Sequence, residues 1–147
     1  MTELTGAARR AAAFRRMREA HGTEMAEDYV ELISDLIRAH GEARLADLAV
    51  HVGVTSATAA KVVQRLQRAG LVESRPYRAI FLTEQGEAIA EMSRRRHQIV
   101  EDFLRALGVD DLTAEADAEG IEHHVSEQTL AALERLTKML KQERGAD

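Results

Sequence analysis

The chain has 147 residues, a formal net charge of −5 and no cysteine, with 45% hydrophobic but only 3% aromatic residues. That is enough Leu, Val, Ile and Ala for a real core, in one compact unit or in a small head joined to a helical piece. Without thiols there is no disulfide framework and no thiolate metal site, the negative balance argues against indiscriminate coating of nucleic acid, and no apolar run approaches the roughly 18–20 residues a bilayer crossing needs.

Taken in chain order, Gly6–Arg18 is rich in Ala and Arg and reads as a basic helical arm, so residues 1–23 are expected to form a basic N-terminal extension rather than a transit peptide. From Glu24 to His40, Ala26, Tyr29, Val30, Ile33, Leu36 and Ile37 recur every three or four positions, which predicts an amphipathic helix ended by Gly41. A short helix, Leu45–Val52, stops at Gly53. A longer one, Ser56–Ala69, has Thr55 at its N-cap and Gly70 at its end. Leu71–Ser74 and Ala79–Leu82 are β-prone runs around Arg75-Pro76-Tyr77-Arg78, a hairpin with a basic tip. Thr83 can cap a long helix to about Leu107, closed by Gly108. Another helix is expected over Leu112–His124, and a last one, capped by Ser126, to about Glu143. The expected fold class is mainly α with a small β-hairpin wing.

Leu45–Leu66 has the spacing of a helix-turn-helix. Leu48, Ala49 and Val52 would form the inner face of its first helix, Gly53 the tight turn, Val54 its plug, and Val62, Val63 and Leu66 the inner face of the second helix. Ser56, Ala57, Thr58, Lys61 and Arg65, with Thr55 at the start, then face outward on a recognition helix. Small hydroxyl and methyl groups there can meet base edges while the cations reach bases or phosphates. Arg44, Arg75 and Arg78 are expected phosphate contacts. Charge agrees: residues 36–96 hold ten basic against six acidic side chains, and residues 97–147 five against twelve.

The acidic end contains an unusual run, Glu119-Gly-Ile-Glu122-His123-His124. Glu119 and Glu122 share a helix face, and His123 covers the neighbouring sector. Asp28 and Glu31 lie three apart on the first amphipathic helix, opposite its apolar stripe, and His97 on the long helix is a further donor. Carboxylates flanked by imidazole can serve two divalent ions, with carboxylates bridging. His124 turns away from Glu119 and reads as a surface or supporting residue; His21, His40 and His51 read as surface residues.

Asp-Tyr-Val-Glu at 28–31, His97 within Arg96-His97-Gln98-Ile99-Val100-Glu101, and the Glu119–His124 run resemble the manganese-responsive branch of the diphtheria-toxin-repressor family, from about Glu24 to Met139. The resemblance implies a winged helix-turn-helix over residues 24–83 and a helical dimerisation and metal-binding domain over residues 84–147. It implies a homodimer that needs Mn(II), two ions per subunit, to bind a palindromic double-stranded DNA operator as a repressor of manganese uptake, or as an activator of efflux. With nothing in the sequence suggesting export, a cytoplasmic location is expected. It implies one ion held by Asp28, Glu31, His97, Glu119 and Glu122. Glu31, Glu122 and His123, with the Glu119 backbone carbonyl, would hold the other. Asp28 stands where iron-responsive members place Met, and a hard carboxylate suits Mn(II).

No membrane partner and no organic substrate are expected. A dinuclear metal hydrolase would also use bridged carboxylates, but no separate general acid or nucleophile stands out, and the chain reads as no enzyme. An iron- or zinc-responsive regulator of the same fold remains the alternative, as does a winged-helix regulator answering to an organic ligand. Phe103, Leu104, Leu107, Leu112 and Ile121 are the apolar positions expected at a dimer surface.

Overall fold

The computed structural model describes residues 5–77 and 79–145. In chain order these form α1 (Gly6–His40), α2 (Leu45–Val52), α3 (Ser56–Arg68), β1 (Val72–Glu73), β2 (Phe81–Leu82), α4 (Glu84–Ala106), α5 (Asp111–Ile121), a 3-10 turn (Glu122–His124) and α6 (Glu127–Gly145). Arg78, singled out at the hairpin tip, lies outside the described residues.

The first long helix does not begin at Glu24. It starts at Gly6, where the Thr5 side chain accepts the Ala8 amide, and runs unbroken for 35 residues to Gly41, whose φ of 81° closes it. Apolar periodicity misses the first half because little packs on it: Phe14 is 57% and Met17 62% exposed. Ala and Arg are strong helix formers, so intrinsic propensity extends the helix past its buried stretch.

Two cores result. Tyr29, Val30, Ile33 and Leu36 of α1 pack with Leu48, Val62, Val63, Leu66, Val72, Ile80 and Ala90 under the helix-turn-helix. Ile99, Val100, Ala118 and Leu130 form a second, smaller core between α4, α5 and α6. Helices α1 and α4 pack along each other and join the two. Val52, expected inside, is 37% exposed; α2 ends there, and Leu48 and Ala49 supply its buried face.

The hairpin is shorter than its sequence suggests. Val72 pairs with Leu82 and Glu73 with Phe81, antiparallel, and Ile80 donates to the Ala43 carbonyl at 2.7 Å, adding a bridge from the segment before α2. The Thr83 hydroxyl donates to the Gly70 carbonyl at 2.6 Å and accepts the Gly86 amide at 3.2 Å. Gly86 is needed here, because a Cβ at that position would stand 2.1 Å from the Leu71 carbonyl oxygen. The wing is thereby fixed to the start of α4.

Candidate metal centre and nucleic-acid interface

Three elements bring the expected ligands together. Helix α1 carries Asp28 and Glu31, α4 carries His97, and the end of α5 with its 3-10 turn carries Glu119, Glu122 and His123. The turn departs from the single helix expected over 112–124. Its geometry is set by Arg96 of α4, which donates through Nε to the Glu122 carbonyl at 3.1 Å and through Nη2 to the Val125 carbonyl. A guanidinium fork occupying carbonyls on both sides of the turn holds the Glu122–His123 backbone against α4.

The donors form two groups, each with its atoms within 4.8 Å of one another: His97, Glu119 and Glu122, and Glu24, Asp28 and His123. His97 Nδ1 lies 3.3 Å from Glu119 Oε1 and 3.5 Å from Glu122 Oε1. His123 Nε2 lies 3.0 Å from Asp28 Oδ1 and 3.5 Å from Glu122 Oε1. Glu122 therefore faces both imidazoles. Glu31 stands at the edge, its Oε2 accepting the buried Ser93 hydroxyl at 2.7 Å.

Each imidazole is held from behind by a carboxylate that sequence reasoning missed. Glu101, one turn after His97, places Oε2 3.1 Å from His97 Nε2 and takes Arg105 on its other oxygen at 2.6 Å. Glu27 places Oε2 2.7 Å from His123 Nδ1. Carboxylate-backed imidazoles presenting the opposite nitrogen are a recurrent arrangement around metal ions. The i,i+4 spacing of His97 and Glu101 was a usable signal. For Glu27 and Arg96 there was none, since their partners are far along the chain. His124 does turn away from Glu119, and its Nε2 meets Glu24 Oε2 at 3.3 Å.

Electrostatics mark the centre as incomplete by protein atoms alone. Glu122 is 1% exposed, yet neither of its oxygens, nor His97 Nδ1, nor His123 Nε2, makes an aligned hydrogen bond. Buried polar atoms of native proteins are nearly always satisfied. Four such atoms converging in one place, all lone-pair donors once deprotonated, fit divalent cations. Burial pushes the Glu122 carboxyl up to about 8, against the pull of His123, with Glu31, Glu119 and Asp28 adding to the rise. Burial likewise raises Glu119, against His97. For His123 burial acts downward, but Asp28 and Glu27 outweigh it and lift the ring to about 10.

The head presents its expected surface. Thr55 at the N-cap and Ser56, Ala57, Thr58, Lys61 and Arg65 on α3 are exposed, as are Arg44 before α2 and Arg75 on the hairpin. The Thr55 hydroxyl is engaged in capping, accepting the Thr58 amide at 3.1 Å and donating to the Thr58 hydroxyl at 3.0 Å. Arg44 is paired with Glu42 at 2.8 Å. A groove between α3 and the hairpin is lined by Ser56, Gln64, Gln67, Ser74 and Arg75.

Comparison with known sequences matches this architecture in two parts. Residues 21–80 match the iron dependent repressor N-terminal DNA binding domain, and residues 83–144 the iron dependent repressor metal binding and dimerisation domain. The transcriptional regulator MntR of Escherichia coli O6:H1 strain CFT073 is 52% identical over 138 residues, covering 94% of this chain and 89% of the relative. The chain belongs to the diphtheria-toxin-repressor family of metal-dependent repressors. Within it the chain falls in the manganese-transport-regulator branch. MntR of Salmonella typhimurium strain LT2 is 49% identical, covering 94% of this chain and 88% of the relative. Among solved structures, a manganese-dependent transcriptional repressor in complex with manganese superposes with a TM-score of 0.69 at 30% identity, covering 77% of this chain. The chain spans about half of that structure's length, 52%.

Proposed function

We propose that this chain is a Mn(II)-responsive, homodimeric DNA-binding repressor that takes two ions per subunit and then grips a palindromic operator. The observation that carries the reading is Glu122, buried and without an aligned hydrogen bond on either oxygen, set between two carboxylate-backed imidazoles. Its donors are carboxylate oxygen and imidazole nitrogen, with no thiolate in the chain, a set suited to Mn(II) among first-row ions. The matched relatives named MntR and the manganese-bound repressor agree with that choice.

When bound, divalent ions would supply the positive charge that the converging carboxylates lack. Without it, Asp28 and Glu31 on α1 face Glu119 as like charges, Glu122 is largely protonated at pH 7, and α1 rests against the 3-10 turn on the Asp28 and Glu27 contacts to His123. Because α1 also contributes Tyr29, Val30, Ile33 and Leu36 to the core under the recognition helix, holding α1 at Asp28 and Glu31 holds the head. In a dimer this selects conformers whose two recognition helices match half-sites about 34 Å apart. DNA in turn tightens metal binding, since the coupling is reciprocal.

The test is fluorescence anisotropy of a labelled palindromic operator from a manganese-transporter promoter. Protein is titrated at fixed salt in chelator, then in Mn(II), Zn(II) and anaerobic Fe(II). Tight binding only with metal, strongest in Mn(II), supports the reading. Equal strength in Zn(II) or Fe(II) keeps the switch and moves the signal to another ion. Binding that ignores chelator removes the switch.

A further inference from the structure

The family resemblance assigns the His123-side ion to Glu31, Glu122 and the Glu119 backbone carbonyl, besides His123 itself. The structure surrounds that imidazole differently. The donor group that includes His123 is completed by Glu24 and Asp28, all offering one atom within 4.8 Å of one another, while Glu31 is engaged by Ser93. Glu24 lies one helical turn before Asp28 on α1, so the two carboxylates project from the same face.

Two independent observations point to a cation there. The His123 side chain is 1% exposed, and its Nε2, the nitrogen aimed at this face, has no aligned hydrogen bond. The Glu24 side chain is itself largely sheltered, at 23% exposure, and is steered from two sides. His124 Nε2 approaches its Oε2 at 3.3 Å and His21 Nδ1 at 3.7 Å.

The geometry points to Glu24 as a further ligand of the outer ion, beside Asp28 and His123, with Glu122 standing between that ion and the one at His97 and Glu119. This rests on the Mn(II) reading above. It makes the outer site a carboxylate–carboxylate–imidazole set that reaches further along α1 than the family assignment does, so that the ion fixes α1 at Glu24 as well as at Asp28.

The test is isothermal titration of metal-free protein with Mn(II), with metal content measured after gel filtration, on the wild type, Glu24→Gln and Glu24→Ala. Both variants keep the helix, which circular dichroism melting of the metal-free proteins verifies. The expected result is two ions on the wild type. In both variants the weaker dissociation constant rises about tenfold or more while the tighter one is kept. Wild-type constants in both variants would overturn the assignment of Glu24 while leaving the Mn(II) reading intact. Equal weakening of both sites would also overturn it, since Glu24 would then not be particular to the outer ion. A wild type that takes up no Mn(II) would overturn the underlying reading and this inference together.

Discussion

Oε2 of Glu27 lies 2.7 Å from Nδ1 of His123, although 96 positions separate them along the chain. With its proton on Nδ1 shared with Glu27, the ring turns Nε2 toward Asp28 and Glu122. Glu101 does the same for His97 from within one helix. Both imidazoles are thus fixed in orientation before any ion arrives, which is what makes a site selective by geometry when raw affinity cannot select Mn(II).

Glu27→Gln and Glu101→Gln should each weaken Mn(II) binding about 10- to 100-fold. Operator binding at limiting Mn(II) should fall with it and recover when Mn(II) is raised. Titration calorimetry and anisotropy on the same preparations check this. Unchanged affinity in both variants would mean the carboxylates only fill space.

Arg96→Ala and Arg96→Lys should both lose Mn(II) affinity, because an ammonium cannot hold the Glu122 and Val125 carbonyls together as the guanidinium does. Recovery of wild-type affinity in Arg96→Lys would show that charge alone matters at this position.

Protons should leave when Mn(II) enters. With Glu122 raised to about 8 and His123 to about 10, both are largely protonated at pH 7, and coordination needs them deprotonated. Mn(II) affinity should therefore rise with pH, and the calorimetric heat at pH 7 should depend on the buffer's ionisation enthalpy. The metal-free fold responds in the opposite sense. Both folded values lie above the unfolded ones, so their stabilising contribution is complete below the unfolded pKa, 4.5 for Glu122 and 6.5 for His123. It is lost as pH rises through about 8 and about 10 respectively, because the native state binds more protons in those windows. The metal-free melting temperature should fall from pH 6 to pH 9; a rise would contradict the assignment.

Gly86→Ala should destabilise the fold by about 1–3 kcal/mol, since its Cβ would collide with the Leu71 carbonyl, a backbone atom with little freedom to move. Urea unfolding measures this directly, and a neutral result would mean that α4 shifts freely against the wing.

Lys61→Ala and Arg65→Ala, both exposed on the recognition helix, should each weaken operator binding in Mn(II) by about 1–3 kcal/mol if they touch bases. Phosphate contacts would instead lower the salt dependence by about one ion per side chain. Mn(II) affinity should be unchanged.

Much of this fold was legible in the sequence because it is written in local signals. Thr55 and Thr83 cap α3 and α4 as expected, and the Ser126 hydroxyl accepts the Thr129 amide at the start of α6. The apolar stripe Tyr29–Leu36 does enter the core. What escaped depends on tertiary partners. The 3-10 turn is held by Arg96 reaching across from α4, a partner that residues 111–124 do not themselves reveal. Glu24 and Glu27 look like ordinary surface acids until the helices bring His124 and His123 to them. The helical arm over Gly6–Arg18 was legible from propensity, but its continuity with the Glu24–His40 helix was not: residues 6–20 bury almost nothing, so no periodic pattern carries through them.

In the proposed mechanism Glu122 joins both halves of the centre and through them fixes α1. The measurement that tests it most directly is operator anisotropy with Glu122→Ala in chelator and in saturating Mn(II), with the oligomeric state followed by light scattering. The expected result is a dimer that no longer responds to Mn(II) and does not bind operator in either condition. A Glu122→Ala dimer that still binds operator only with Mn(II) would contradict it.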